Sequence, residues 1–359
     1  MLSHLRVLDL TRVLAGPLCT MMLGDLGADV IKVERPGAGD DTRGWGPPFD
    51  ERGESAYYLS VNRNKKSLVA DLRDPADCEL VRSLIGEADV VVDNFRRGVL
   101  EDLGLAPAEL MAARPALVWC TVTGFGPESD RPGYDYVVQA ECGWMAITGE
   151  RSGDPMKVGV ALADVIVGKD ATIAILAALV ERARTGHGRH VTVSLAQSAT
   201  AALVNVAQNV LVTGADAERW GNAHPNLVPY ELFPTQDRPI VIAVGNDAQW
   251  RACAIALDRA DLAHDTRFTT NAGRVAHRDA LIGALRSWLA TRPAAHWLAA
   301  LERAQIPCGV VKGVLEALRD ANVSPLTGVA PSVPGVVRFP PPHLDEHGAE
   351  IRTKGWGVF

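Results

Sequence analysis

Short apolar runs alternate with helix-like segments along the first third of the chain. Runs rich in Val, Ile and Leu predict strands at residues 5–10, 29–34, 67–72, 89–94 and 117–124. Residues 18–26 and 75–86 predict helices, and the second begins at a proline, which the first turn of a helix tolerates. Strands separated by helices favour right-handed parallel crossovers, so the pattern predicts a doubly wound α/β sheet. Such sheets bind ligands at the carboxyl ends of their strands.

Residues 164–184 give the clearest helical pattern in the chain. Apolar residues recur there near the helical period, basic residues fill the last turn, and a glycine follows. Residues 190–195 predict a strand, and the uncharged segment after it predicts a helix that ends at about residue 213. A helix that is apolar on all sides must be buried on all sides, which indicates a subunit interface.

A segment rich in Gly, Asn and Pro at residues 214–229 marks a break in the chain. Beyond it the pattern predicts a strand at residues 239–245, followed by helices near residues 248–257, 277–289 and 294–304. We interpret this part as a second, smaller α/β domain. From residue 324 the chain is rich in Pro and Gly, which predicts an extended tail over a folded surface.

Composition narrows the function classes. The chain has 359 residues, enough for about two domains, and its net charge of -7 argues against a general nucleic-acid binder. The six cysteines are scattered singly, which is typical of a reducing compartment. Charged residues interrupt the N-terminal region, and amide and hydroxyl side chains interrupt the uncharged stretch at residues 191–215. We therefore expect a cytoplasmic protein without a signal peptide or a membrane span.

Several cofactor classes lack their sequence signals. Only Gly16 occupies the turn after the first strand, where a dinucleotide site needs G-x-G-x-x-G, and no P-loop is present. Residues 343–347 spell H-x-x-E-H, but that zinc motif requires a helix, and three prolines precede it here. We interpret it as a chance match and expect no metal.

Basic residues follow several predicted strands. Residues 62–66 and 94–97 form two basic clusters, and Arg35 and Arg73 occupy similar positions. A single cluster of this kind is usually a solvated rim, but several at one sheet edge of an acidic protein make a phosphate-bearing ligand an equal alternative.

Asp164 lies at the start of the clearest helix and admits two interpretations. An aspartate there is explained by an N-cap role, which the residues alone favour. Alternatively it is a nucleophile next to a helix N-terminus whose amides could hold an oxyanion.

Several long segments resemble the class III (CaiB/BaiF) CoA-transferases. They are LDLTRVLAGPL (8–18), GDLGADVIKVERPGAGDDTRGW (24–45), SVNRNKKS (60–67), DNFRRG (93–98) and GVALADVIVG (159–168). Within that family, ERPGAGDDTRGWGPPF, ESAYYLSVNRNKKS and ERWGNAHPNLVPYELF are most similar to enzymes of the succinate–hydroxymethylglutarate CoA-transferase type, which use dicarboxylates.

The resemblance implies an interlocked homodimer whose linkers thread through the partner. Residues 1–195 would form a large Rossmann-like domain that binds CoA and is completed by the tail at residues 325–359. Residues 196–222 would be a linker helix, and residues 223–324 the small domain.

The resemblance also implies roles for individual residues. The family's catalytic aspartate falls on Asp164, which reverses the preference for a cap, and Tyr134 matches a tyrosine near the pantetheine and thioester. Contacts to coenzyme A would fall on Val13, Leu14, Ala15, Arg35, Ala70, Arg73, Asn94 and Phe95. The implied partners are an acyl-CoA and a carboxylic acid.

The implied reaction moves CoA from a donor such as succinyl-CoA to a short dicarboxylic acid, of the glutarate, hydroxymethylglutarate or itaconate type. It passes through an aspartyl mixed anhydride and an aspartyl-CoA thioester. The alternative within the family is an α-methylacyl-CoA racemase, but Tyr134 stands where that enzyme needs a histidine base, and a phenol with a pKa near ~10 is a poor base. A non-catalytic acyl-CoA binder, with Asp164 as a cap, is the alternative from another class.

A dicarboxylate needs a cation for its distal carboxylate. The candidates are Arg43, Arg12 and Lys157, of which Arg43 is the strongest because it lies in the DDTRGW block. Its alternative role is a structural ion pair with Asp40 or Asp41. His224 has two interpretations, as a residue that faces the substrate and as a loop residue without a functional role. The glycine loop GGGGQ of formyl-CoA transferase is absent, which argues against oxalate, and the tail sequence HLDEHG (343–348) departs from the usual LGEHT.

Overall fold

A computed structural model describes all residues from Met1 to Phe359. The chain divides into two compact units, each built from segments that are separate in sequence. Unit 1 comprises Met1–Met145, Lys157–Ala215 and Ala321–Phe359, and unit 2 comprises Ala146–Met156 and Asp216–Asp320.

The strands and helices follow the chain in this order. The strands are β1 (Arg6–Asp9), β2 (Asp29–Glu34), β3 (Lys66–Val69), β4 (Val90–Asp93), β5 (Val118–Thr123), β6 (His190–Ser194), β7 (Tyr230–Phe233), β8 (Ile240–Ala243), β9 (Cys308–Val310), β10 (Val323–Ser324) and β11 (Gly328–Val329). The α-helices are α1 (Ala15–Asp25), α2 (Ala56–Leu59), α3 (Pro75–Glu87), α4 (Val99–Asp102), α5 (Pro107–Ala113), α6 (Asp135–Glu141), α7 (Trp144–Ile147), α8 (Leu162–Thr185), α9 (Leu195–Ala201), α10 (Val204–Thr213), α11 (Asp247–Ala256), α12 (Ala260–His264), α13 (Asn271–Ala276), α14 (Arg278–Leu289), α15 (Ala294–Arg303), α16 (Val314–Leu318) and α17 (Gly348–Lys354). Short 3₁₀ turns occupy Asp41–Gly44 and Gly355–Val358.

Unit 1 is built on a six-stranded sheet in the order β3-β2-β1-β4-β5-β6. All of its strand pairs are parallel, so the predicted doubly wound α/β fold is confirmed. The central strand β4 is buried along its whole length, as its Val-Val-Val-Asp sequence requires. The strand order reverses between β1 and β4, and in open α/β sheets ligands bind outside the carboxyl ends of the strands at such a point.

The 24-residue helix α8 packs closely against α1. A Cβ at Gly168 of α8 would lie 2.7 Å from the carbonyl oxygen of Ala15. A glycine is therefore needed for the two helices to approach each other at this point, and the contact fixes the N-terminal half of α8 against the turn that follows β1.

The segment after β6 differs from the prediction of one continuous helix. It forms α9 and α10, which meet at an angle of 71°, and Val204, the first residue of α10, has a positive φ of 43°. Leu195 and Ala199 of α9 are buried, whereas no residue of α10 is buried within this chain. No single helix is both long and apolar enough to cross a bilayer, although this bent pair meets the length and composition criteria together.

The C-terminal tail packs on unit 1 along β3. Asp345 Oδ1 accepts a hydrogen bond from the amide of Val69 at 2.7 Å, and Trp356 is buried among the residues below the sheet. The H-x-x-E-H segment precedes α17 instead of lying on a helix. Its His343 Nδ1 lies 3.1 Å from Glu54 Oε1, and the amide of Ser67 donates to His347 Nδ1 at 3.4 Å. The divergent HLDEHG sequence therefore covers an edge strand.

Unit 2 has a three-stranded antiparallel sheet in the order β7-β8-β9. Helices α11 to α15 supply most of its core, in which Trp250 and Trp297 are the largest buried side chains. Arg274 is fully buried there and donates to the carbonyls of Val228 and Phe268, which fixes the loop before β7.

Candidate active site

A cavity of about 300 Å³ opens in unit 1 where the turns after β1, β4 and β5 meet the start of α8. The three turns meet here because the carboxyl ends of parallel strands all lie at the same edge of the sheet. The predicted site residues that line the cavity are Val13, Leu14, Ala15, Asn94, Phe95, Tyr134 and Asp164.

The turn between β1 and α1 is held from two sides. Val13 has a φ of 75°, which is unusual for a β-branched residue, and its amide donates to the carboxylate of Asp40 at 3.2 and 3.3 Å. Lys32 Nζ lies 2.9 Å from that carboxylate in a fully buried ion pair. From the other side, the Asn94 side chain bonds both the amide and the carbonyl of Arg12, at 3.1 and 2.9 Å.

These contacts give the turn a conformation that its own residues do not favour. Backbone strain of this kind is concentrated at ligand sites, where the surrounding structure holds it in place. No side chain caps the following helix α1, so its first amides are available to an anion. The turn is therefore a preformed binding surface made of backbone groups.

Asp164 lies in the first turn of α8 and does not cap that helix. The helix begins at Leu162, its N-cap position is Ala161, and the Asp164 carboxylate makes no hydrogen bond within the chain. Asp135 caps the first turn of α8 instead, because its Oδ1 accepts hydrogen bonds from the amides of Ala163 at 2.8 Å and Asp164 at 3.4 Å. The cap interpretation of Asp164 is therefore wrong, and its carboxylate is free to react.

The electrostatic surroundings of Asp164 favour a reactive carboxylate. Burial and the nearby negative charge of Asp135 raise the pKa of Asp164 to about 7. A carboxylate that is poorly solvated and unpaired is more basic than one in water, and perturbed groups of this kind are concentrated at functional sites.

Tyr57, on α2, shares this environment. Burial and the charges of Asp164 and Asp135 raise the pKa of Tyr57 to about 12, so its phenol stays protonated at neutral pH. Trp45 packs edge-on against its ring at 5.1 Å between centroids. Sequence reasoning missed both Tyr57 and Asp135, although Asp135 directly follows the predicted Tyr134.

Two glycines allow the loop that carries Tyr134 to approach β5. A Cβ at Gly124 would lie 2.5 Å from the Cα of Gly133, and a Cβ at Gly133 would lie 2.2 Å from the Cα of Gly124. Only glycine fits at either position. This contact places Tyr134, which is exposed, in the lining of the cavity, and the capping Asp135 follows it in the chain.

Basic side chains form one rim of the cavity. The residues that line it are Arg12, Arg96, Arg97, Arg131 and His190. Three of them form exposed ion pairs, Arg12 with Asp41, Arg97 with Glu128 and Arg131 with Glu141, and exposed guanidinium groups of this kind suit a phosphate-bearing ligand. The predicted cluster at residues 62–66 does not contribute, because Arg63 is paired with buried Asp25 and Lys65 with buried Asp9. Those residues stabilise the interior below the sheet edge.

Other predicted CoA contacts lie away from the cavity as the structure describes it. Arg35 is an exposed residue paired with Asp41. Ala70 is buried at the end of β3 and donates its amide to the carbonyl of Glu34, and Arg73 lies in the turn after β3, where its amide donates to Asp71.

The predicted substrate residues Arg43 and His224 are placed elsewhere. Arg43 is nearly buried, and its donors are taken by Glu34, Glu54, Tyr58 and the carbonyl of Pro342. This is the structural ion pair considered as its alternative role, with Glu34 and Glu54 in place of Asp40 and Asp41. The guanidinium has no free donor for a substrate. His224 belongs to unit 2, where its Nδ1 accepts from the amide of Asn226 at 3.0 Å.

Comparison with known proteins agrees with this geometry. The profile of CoA-transferase family III matches residues 2–347. The chain is 44% identical over 330 residues to the succinate–glutarate CoA-transferase of Agrobacterium fabrum, covering 90% of this chain and 82% of that one. It is 42% identical over 373 residues to the succinyl-CoA:glutarate CoA-transferase of Mus musculus, covering 98% and 85%.

A solved structure gives the same result in three dimensions. A CaiB/BaiF family protein from Brucella suis superimposes with a TM-score of 0.86 at 41% identity, and the match covers 97% of each chain. The Asp164 carboxylate, which makes no hydrogen bond, and the preformed turn after β1 are consistent with these matches. The chain belongs to CoA-transferase family III.

Proposed function

We propose that this CoA-transferase moves CoA from succinyl-CoA to a short dicarboxylic acid of the glutarate type, with Asp164 as the nucleophile. The substrates are those in the names of relatives at 40–44% identity, which use succinate or succinyl-CoA together with glutarate. The observation that carries the mechanism is the free carboxylate of Asp164, released from helix capping by Asp135.

The chemistry requires a carboxylate nucleophile. A serine or lysine would trap the acyl group as an ester or an amide, which are more stable than a thioester. Asp164 attacks the carbonyl of the acyl-CoA, and CoA thiolate leaves to give a mixed anhydride. The thiolate then attacks the aspartyl carbonyl, which releases the donor acid and leaves an aspartyl-CoA thioester. These two covalent steps replace one difficult displacement.

The acceptor acid reverses the sequence. Its carboxylate attacks the aspartyl thioester, the thiolate leaves, and a new anhydride joins the acceptor to Asp164. Thiolate attack on the acceptor carbonyl then gives the new acyl-CoA and restores the Asp164 carboxylate. No proton is gained or lost over the cycle, so the site needs no dedicated general base.

The residues around the cavity have matching roles in this proposal. The backbone amides of Leu14 and Ala15, at the start of α1, are offered to CoA, since the Val13 amide is taken by Asp40. The rim arginines offer charge to its phosphates. The protonated phenol of Tyr57 is a donor for an oxyanion that forms near Asp164.

We also propose a homodimer that works in the cytoplasm. The support for the dimer is α10, whose Val204, Leu211 and Val212 are exposed apolar residues that a second subunit would cover. The support for the compartment is the set of six unpaired cysteines. We propose unit 1 as the CoA-binding domain and unit 2 as the small domain.

The test is CoA transfer from succinyl-CoA to labelled glutarate by the Asp164→Ala protein. We expect a loss of at least a thousandfold in kcat with CoA affinity retained, because the nucleophile is removed and the binding turn is not. Asp170→Asn is the matched control: it is on the same helix, bonded to Ser198, and we expect near-normal transfer.

Trapping distinguishes this reaction from its alternatives. Hydroxylamine added to enzyme incubated with succinyl-CoA should modify Asp164 alone. A racemase would instead exchange the α-proton of the acyl group with solvent, and a mere binder would do neither. Turnover that continues in the Asp164→Ala protein contradicts the proposal.

A further inference from the structure

Unit 2 contains a second cavity, of about 240 Å³, lined by basic and aromatic side chains. The guanidinium carbons of Arg151 and Arg278 each lie 4.8 Å from the ring centroid of Trp220. All three residues line the cavity, together with the residues that open α14. Two guanidinium groups therefore share one indole ring at the edge of a small open space.

The local structure fixes these side chains. Arg219 donates to the carbonyls of Ala146, Glu150 and Gly153, which holds the loop that carries Arg151. Arg278 donates from Nη2 to the carbonyls of His224 and Pro225, both at 2.9 Å. Backbone contacts therefore hold the loop that carries Arg151 and the guanidinium group of Arg278.

The other nitrogens of Arg278 donate to no group in the chain. Nη1 is buried without a hydrogen-bond partner, which is costly for a charged donor. Neither Arg151 nor Arg278 forms an ion pair within the chain. No side chain caps α14, so its first amides add partial positive charge to the same cavity.

The acidic groups nearby do not complete the site. Asp279 lines the cavity but makes no ion pair with either arginine. Glu231 interacts with Arg278 electrostatically but does not line the cavity, and its own buried Oε1 also lacks a partner. Burial raises the pKa of Glu231, which weakens it as a counter-charge. Neither arginine of the cavity therefore has a carboxylate paired with it within the chain.

We propose that Arg151, Arg278 and Trp220 form a carboxylate site that binds one end of a short dicarboxylic acid. A guanidinium donates two parallel hydrogen bonds to a carboxylate, and the apolar indole face suits the methylene chain of such an acid. The choice of a dicarboxylate rests on the proposed function.

The experiment is isothermal titration calorimetry, in which glutarate is added to the full-length Asp164→Asn protein in a buffer free of phosphate and carboxylates. We expect Arg151→Gln to weaken binding at least threefold and the Arg151→Gln, Arg278→Gln pair at least tenfold. Arg151 makes no hydrogen bond in the structure, so its variant should keep the fold even if Arg278→Gln disturbs the loop at His224. Arg303→Gln, an exposed arginine of α15 bonded only within its own helix, is the matched control.

A second readout locates the binding. The indole N–H resonance of Trp220, assigned with Trp220→Phe, should shift as glutarate is added. An unchanged resonance, unchanged affinity in the double variant, or a response to inorganic phosphate but not to glutarate would each overturn the proposal. Because binding is measured without turnover, a failure of this site is distinguished from a failure of the transfer reaction.

Discussion

At the scale of single residues, two neighbouring carboxylates have different tasks. Asp135 uses its oxygens on the amide of Ala163 and on the side chain of Gln139, whereas Asp164 uses neither oxygen on the protein. The charge of Asp135 and burial together raise the pKa of Asp164 to about 7. Environments that differ in this way separate a structural carboxylate from a reactive one.

This arrangement predicts the pH dependence of transfer. In the proposed mechanism Asp164 attacks only when ionised, so kcat/KM should rise with pH through about 7 in the free enzyme. Asp135→Asn removes the negative charge but keeps an oxygen to cap α8, so it should lower the pKa of Asp164. The rising limb should then move to lower pH by about 0.5–1 unit.

The measurement is a pH profile of kcat/KM for wild type and Asp135→Asn. Asp170→Asn, whose carboxylate contacts Ser198 outside the cavity, provides the control and should leave the profile in place. A limb that stays near pH 7 in Asp135→Asn would show that Asp135 does not set the charge state of Asp164.

The sequence was sufficient to propose Asp164 as the nucleophile, but it could not show that the carboxylate makes no hydrogen bond. A helix start and a family motif point to the residue, and both are local signals. Its release from capping depends on Asp135, which is 28 residues away from the amide it binds. Arg43 was misjudged for the same reason, because its partners Glu34 and Glu54 approach it only in the folded chain.

At the scale of elements, the turns after β1 and β4 act together. Asn94, which follows β4, bonds both backbone groups of Arg12 and so supports the strained conformation of Val13. The strand order places these two turns side by side at the point where the sheet changes direction.

Loss of this support should affect CoA binding more than chemistry. In Asn94→Ala two hydrogen bonds are removed, each worth about 0.5–1.5 kcal/mol, so the KM for succinyl-CoA should rise about tenfold. The kcat and the KM for glutarate should change less than twofold, as steady-state kinetics would show. Asn246→Ala, which removes the cap of α11 in unit 2, serves as the control for a general loss of stability. Equal changes in all constants would contradict a positioning role.

Strands were predicted more accurately than the helices after β6. The Val-rich runs that form β2, β4 and β5 have a strong local signal and a buried environment on both faces. The uncharged run after β6 has no polar face, so its pattern cannot show where the chain bends, and the break between α9 and α10 was missed.

At the scale of the whole molecule, the chain exposes apolar surface that unit 1 does not bury. Leu211 and Val212 on α10 are 76% and 74% exposed, and Ile173 and Val180 on α8 are also exposed. Groups of exposed apolar residues mark interaction surfaces, so the proposed homodimer explains why no residue of α10 is buried within one chain.

A charge on α10 should therefore dissociate the dimer. Leu211→Lys places an ammonium group where a partner would otherwise exclude water, and burying an unpaired charge costs several kcal/mol. Light scattering during gel filtration at micromolar concentration should give one dimeric peak for wild type and mainly monomer for the variant. Ile255→Lys, an equally drastic change at an exposed site on α11, should remain dimeric. If Leu211→Lys remains dimeric too, α10 lies outside the interface, and its apolar residues need another explanation.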